Sequence, residues 1–197
     1  VALRRGTLRR RAVVGELLAA RGDALVVSGL GGTTWDVAAA LGDEPTHFPL
    51  WGAMGGALMV GLGLALARPR RRVLVVTGDG ELLMGLGSLA TVACERPRNL
   101  AVAVIDNARY GETGMQPSHT AAGVDLAGIA AAAGFAATTR VRSRAEVAAA
   151  LELLHGAAGP TLAVFEVRAE SPPMVLPERQ GPWLKERFRR ALGIAPR

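Results

Sequence analysis

Apolar positions along the chain fall into short β-branched runs separated by stretches of helical period, which predicts strands and helices in turn. The clearest unit covers residues 73–114, VLVVTGDGELLMGLGSLATVACERPRNLAVAVIDNARYGETG. Its first run, 73–77, has strand length and stops on Gly78-Asp79-Gly80 before an apolar segment of helical period. A second strand-like run, 100–105, ends on Asp106-Asn107 ahead of a loop holding Gly111 and Gly114. Two parallel strands joined by a helix put Asp79 and Asn107 at neighbouring carboxyl ends of one sheet, where open α/β sheets take their ligands.

The rest of the chain repeats the alternation. Residues 7–21 space Leu8, Ala12, Val13, Leu17 and Leu18 on one helical face with arginines between them. ALVVS at 24–28 reads as a strand, GLGGTT at 29–34 as a glycine-rich turn, and 35–41 as a helix. The turn lacks the third glycine and the later acidic residue of a dinucleotide loop. A short extended segment, 46–51, leads through GAMGG at 52–56 into a helix ending near 67. Further helices are expected over 125–133 and 143–154, the latter opened by a Ser143–Glu146 capping box. Strands are expected over 136–141 and 161–167. Prolines punctuate the chain from 171, and 183–192 predicts a terminal amphipathic helix. This order predicts a three-layer α/β/α domain over 1–170 with a mostly parallel six-stranded sheet, and a tail over 171–197 whose helix packs on the domain or on a partner.

Composition narrows the picture. Half of the 197 residues are apolar, which suits one packed domain. The net charge is +6, and Lys185 is the only lysine. Arginines cluster in short runs at 4–11, 68–72 and 187–190 without interleaved aromatics, so no nucleic-acid face is expected; solvated surface or anionic partners are. A single cysteine, Cys94, excludes an intramolecular disulfide framework, a cysteine zinc site and a protein-held iron–sulfur cluster. It reads as buried packing, and a reducing cytoplasm is the expected location. Residues 50–67 carry no charge and precede Arg68, Arg70, Arg71 and Arg72, imitating a membrane span. Their length and glycines instead predict a helix covered on both sides, and no membrane partner is expected. His47 reads as a core or turn histidine, and His155 as a cation at a helix C-terminus.

A carboxylate and an amide oxygen at adjacent strand ends can share one hard cation. Magnesium prefers six oxygens and is usually held by few protein groups plus phosphate. Asp79, Asn107 and one backbone carbonyl would leave room for two phosphate oxygens and a water, and the helix after Gly80 would turn free N–H groups toward those phosphates. Gln116, Ser118, His119 and Thr120 follow in a loop placed to contact substrate, with Gln116 and His119 as the candidate catalytic residues.

Gly78-Asp79-Gly80, the spacer and Asn107 together resemble the thiamine diphosphate motif of the pyrophosphate-binding domain in thiamine-dependent decarboxylases. Gly52-Ala53-Met54-Gly55 lies where that family has its G-S-M-G segment, and Gly87-Ser88-Leu89-Ala90-Thr91 and Tyr110-Gly111-Glu112-Thr113-Gly114 extend the likeness. Within the family the chain resembles sulfopyruvate decarboxylase beta subunits and the matching half of phosphonopyruvate decarboxylases. The resemblance implies a magnesium ion held by Asp79, Asn107 and the Arg109 carbonyl. It also implies a diphosphate on the N–H groups of Gly80 and Glu81, near Gly78, Tyr110 and Gly111. Met54 would prop the cofactor in a bent shape while the Gly52 carbonyl accepts from its aminopyrimidine. Asp106 stands where the family has the first of two asparagines; the metal ligand is the second.

The family's activating glutamate sits on a separate pyrimidine-binding domain, which the resemblance assigns to a partner alpha-type subunit in a homodimer or hetero-oligomer. The expected function is that of the cofactor-binding subunit of a 2-oxo acid decarboxylase acting on a small anionic substrate, sulfopyruvate first and phosphonopyruvate second. The alternatives are another thiamine-dependent lyase or oxidoreductase subunit, although one cysteine cannot hold the latter's cluster, and a noncatalytic cofactor-binding or regulatory module.

Overall fold

A computed structural model of the chain describes residues 6–194. Arg4 and Arg5 of the first arginine run, and the outermost ends of both expected regions, lie outside the described residues. In chain order the helices are α1 (Arg10–Ala19), α2 (Gly32–Leu41), α3 (Ala57–Ala67), α4 (Asp79–Met84), α5 (Ser88–Glu95), α6 (Leu126–Ala133), α7 (Arg144–Gly156) and α8 (Gly181–Ala191). The strands are β1 (Leu25–Ser28), β2 (His47–Pro49), β3 (Val73–Gly78), β4 (Leu100–Asp106), β5 (Arg109–Tyr110), β6 (Gln116–Pro117), β7 (Ala137–Val141) and β8 (Thr161–Glu166).

Six strands form one sheet in the order β2-β1-β3-β4-β8-β7 with every pairing parallel, and β5 and β6 make a separate antiparallel pair. Alternate residues feed two cores. Val27, Val75, Val102 and Val104 face α3, α5 and α6, while Val26, Leu74, Val76 and Ile105 face α1, α2 and α7. Both faces are covered, which is why the central strands β1, β3 and β4 are mostly continuous apolar runs rather than alternating with polar residues. From β1 the chain turns outward to β2, and from β3 it turns the other way to β4. The carboxyl ends of β1 and β3 therefore border the topological switch point, the natural crevice of such a sheet.

Several expectations need correction. α2 begins at Gly32, so the glycine-rich turn is the helix's own start. The segment after β3 is two helices, α4 and α5, separated at Gly85, where a β-carbon would meet the Gly55 carbonyl and only glycine fits. α3 has eleven residues and one covered face; Met59 and Leu66 on its outer side are exposed. Among the described residues no helix is long and apolar enough to cross a membrane. Cys94 is exposed, since Leu89, Val92 and Ala93 are the residues that α5 turns inward. His155 is a half-buried strut whose Nε2 lies 3.0 Å from the Leu17 carbonyl. It is the basic residue in the last turn of α7, as expected, and burial lowers its pKa. His47 is a core histidine: Nε2 lies 2.8 Å from Ser28 Oγ, and burial lowers its pKa to about 3. The Ser143–Glu146 capping box is present. α8 packs Leu184 and Phe188 inward, with Phe188 against Phe48 beside β2 at 5.4 Å between ring centroids.

Candidate functional site

A cavity of about 250 Å³ opens at the switch point. Of the predicted cofactor and metal residues, all except Gly52 line it; Gly52 lies outside, in the turn that delivers Met54 to the rim.

Register builds the acidic side. The last β3–β4 pair is Gly78 with Ile105, so Asp79 and Asp106 leave the sheet side by side. Both are 2% exposed. Asp79 Oδ2 accepts from Ser118 Oγ at 2.5 Å and lies 3.1 Å from Thr120 Oγ1, which is itself 2.7 Å from Asp106 Oδ1. Thr120 has one hydroxyl proton and two carboxylate oxygens in reach. Burial first, and the neighbouring Asp106 charge second, push the Asp79 pKa up to about 7. The substitution at Asp106 thus changes the site, by adding a second carboxylate next to the predicted metal ligand. Asp79 is also part of the cavity wall.

Asn107 turns its Oδ1 back to accept from Arg109 N at 2.9 Å, which fixes the amide at the cavity edge with a lone pair to spare. The Tyr110 ring packs against the first turn of α4; a β-carbon at Gly80 would be 2.6 Å from its Cε1, so glycine is what lets the ring approach. The Glu81 side chain is buried, with Oε2 accepting from Thr77 Oγ1 at 2.6 Å. Burial raises its pKa against the effect of the Thr77 hydroxyl and nearby amides.

Neither candidate catalytic residue lines the cavity. Gln116 is exposed and folds onto Thr113, donating from Nε2 to the Thr113 carbonyl at 2.7 Å. His119 is exposed behind Tyr110, with Nδ1 3.1 Å from the phenol oxygen, and reaches the site only through that ring. The structure also adds residues that sequence reasoning missed: Arg10, delivered by α1; Asp36, which binds it; and Glu170 and Ser171, which close the wall after β8. No motif marks them, because they come from both ends of the chain.

The arrangement fits a hydrated cation with a phosphate ligand. Among the described residues no group of three or more His, Cys, Asp or Glu gathers to hold a metal, so a cation here would take Asp79 Oδ1 and few other protein ligands. A buried carboxylate that holds its proton to about pH 7 for want of a counter-charge is a place where a cation replaces the proton.

Comparison with known proteins agrees with this geometry. Residues 29–165 match the family model described as thiamine pyrophosphate enzyme, C-terminal TPP binding domain. The chain is 44% identical over 149 residues to a phosphonopyruvate decarboxylase of Streptomyces viridochromogenes, covering 76% of this chain and 37% of that protein. It is 42% identical over 113 residues to a sulfopyruvate decarboxylase subunit beta of Methanothermobacter thermautotrophicus, covering 57% of this chain and 60% of that subunit. The chain therefore spans less than two thirds of either relative. Among solved structures it superposes on a thiamin diphosphate-dependent enzyme from Mycobacterium smegmatis, described as putative, with a TM-score of 0.71 at 26% identity, covering 83% of this chain and 32% of that one. With the match running through both strand ends of the cavity, the chain belongs to the family of thiamine pyrophosphate enzymes, as their C-terminal TPP-binding domain.

Proposed function

We propose that this chain is the cofactor-binding, beta-type half of a thiamine diphosphate-dependent 2-oxo acid decarboxylase that converts 3-sulfopyruvate to sulfoacetaldehyde and carbon dioxide. The observation that carries the reading is the pairing of Asp79 and Asn107 at the switch-point cavity in a chain of this family. A second reading, with 3-phosphonopyruvate as substrate, draws support from the longer match, 149 residues against 113. Both substrates are small 2-oxo acids with a second strongly acidic group.

Bound thiamine diphosphate would supply the electron sink that decarboxylation requires. The protein's own residues hold and shield it. Asp79, Asn107 and the Arg109 carbonyl take magnesium, and the first-turn N–H groups of Gly80 and Glu81 meet the diphosphate. Met54 supports the rings from the rim. Tyr110, backed by His119, lies over the α4 end of the cavity and keeps water from the diphosphate.

The pyrimidine-binding half belongs to an alpha-type partner. A cavity of about 250 Å³ is below the roughly 300–1,000 Å³ usual for small-molecule sites. Met54 is 37% exposed at its rim, and Met59 and Met84 are bare nearby. These apolar groups suit a covering subunit.

Calorimetry tests the cofactor: the protein is expected to bind thiamine diphosphate only with magnesium, and Asp79→Ala to bind none. A screen of 2-oxo acids tests the reaction, with turnover of sulfopyruvate expected on addition of a co-purified pyrimidine-domain partner. Rapid turnover by this chain alone would overturn the divided site.

A further inference from the structure

The carboxylate of Glu81 lies at the junction of four elements, and the metal site does not use it. The residue is 3% exposed. Its Oε2 accepts from Thr77 Oγ1 at the carboxyl end of β3, and a β-carbon on Gly29 would overlap the same oxygen, so the carboxylate fills the space that Gly29 leaves past the end of β1. Backbone groups of Ala57 and Gly55, at the start of α3, also favour the charged carboxylate as hydrogen-bonding neighbours. A carboxylate buried this deeply is costly unless such partners surround it.

The helix that meets it there begins without a cap of its own. α3 starts after Gly56, which has no side chain to offer, and its first turn holds no acidic residue. Val60 N donates to the Gly56 carbonyl at 3.1 Å, so the N–H groups of Ala57, Leu58 and Met59 precede the first intrahelical bond. A carboxylate at that end takes an orphan donor and complements the helix dipole. Glu81 supplies from α4 what α3 lacks locally.

The other end of α4 fixes the same turn by a second contact. Gly55 holds a φ of 87°, and a β-carbon on it would be 2.9 Å from Gly85 N, while one on Gly85 would overlap the Gly55 carbonyl. Gly56 N closes the turn by donating to the Ala53 carbonyl at 2.9 Å. Thus α4 holds the turn through Glu81 near its start and through Gly85 just past its end. Met54 lies inside that clamp, between Ala53 and Gly55, and lines the cavity.

We propose that Glu81 is a positioning residue whose carboxylate caps α3 from α4 and so fixes Met54 at the cavity rim relative to the helix that meets the diphosphate. The inference rests on the thiamine diphosphate reading, in which Met54 supports the rings. One residue then serves both ends of the cofactor, with its amide toward the diphosphate and its carboxylate, acting through Met54, toward the rings. Removing the carboxylate weakens the hold on the rings and spares the hold on the diphosphate.

Two calorimetric probes, each titrated into the full protein with magnesium, separate the ends: inorganic pyrophosphate senses only the diphosphate side, and thiamine diphosphate senses both. In Glu81→Ala thiamine diphosphate is expected to bind about tenfold more weakly, with pyrophosphate within about threefold of the wild type. Met54→Ala should show the same selectivity, and the double variant should lose little beyond the weaker single one, because the two residues act as a unit. Equal loss of both probes, no loss of either, or losses that multiply in the double variant would overturn the proposal, since a merely structural role gives those results. Should Glu81→Ala fail to fold, Glu81→Asp decides: it keeps the charge but shortens the reach by a methylene, and a selective loss of about threefold is expected. Hydrogen exchange without ligand reads the cap directly. Amides 55–59 should exchange about tenfold faster in the variant while those of β4 keep their protection, and unchanged exchange would overturn the cap. Failure of the wild type to bind thiamine diphosphate would instead overturn the cofactor reading, and hydrogen exchange then judges the cap by itself.

Discussion

The two walls of the cavity are built on opposite principles. On the β3–β4 side the carboxylates of Asp79 and Asp106 are buried next to each other and both reach the Thr120 hydroxyl, so the wall gathers acidic groups. On the α1–α2 side two arginines share one fully buried aspartate, so opposite charges are paired there. Like charges gathered on one wall suit an added cation, and pairs already made on the other hold the fold.

The comparison breaks most severely at Asp36. Replacing it with Ala leaves Arg10 buried without its counter-ion, and a loss of about 3–5 kcal/mol in unfolding free energy is expected from denaturant titration. Stability close to wild type would mean that Arg10 is neutralised by something other than Asp36. The acidic wall should yield less. Thr120→Val removes the hydroxyl that separates Asp79 from Asp106, costing about 1–3 kcal/mol of stability. Since Thr120 orients the ligand carboxylate, magnesium affinity measured in the presence of thiamine diphosphate should fall by about tenfold. Thr120→Ser, which keeps the hydroxyl, should restore most of both.

The smallest effect is a graded one. Asp79 has a pKa of about 7 without metal, above its unfolded value, so its proton competes with the cation. Magnesium affinity should then rise by about tenfold per pH unit up to about 7 and level off above it. The linked stability has the opposite sign: the metal-free protein holds the Asp79 proton more tightly than the unfolded chain does, so this contribution is complete below about pH 4 and is lost as pH rises through about 7. Asp79→Asn should flatten both curves; if they persist, another group titrates.

Much of this was legible in the residues. The apolar runs at 73–77 and 100–105 name the strands β3 and β4, because a strand buried on both faces is apolar over most of its length. The Gly-Asp-Gly turn and the later Asn107 name the acidic wall, since a short-range motif and a fixed strand–helix–strand spacing determine where both residues emerge. The expectations that failed depended on neighbours. Cys94 and the outer face of α3 looked buried because composition cannot tell which side of an outer-layer helix lacks a cover. Gln116 and His119 are a separate case: their place after the metal motif made them candidates, and in the fold they stand outside the cavity lining, bonded to Thr113 and Tyr110.

The sequence by itself determined the alternating layers and the carboxylate–amide pair at neighbouring strand ends, both of which follow from local period and short spacing. Tertiary structure alone decided that Asp106 raises the pKa of Asp79, because that depends on β3–β4 register and burial. It alone brought Arg10 to Gly32 and Thr33, through a bridge between residues 8 and 167 that no local pattern encodes. Charges act through space and not along the chain, so a site set between two walls becomes visible only once the fold has set them face to face.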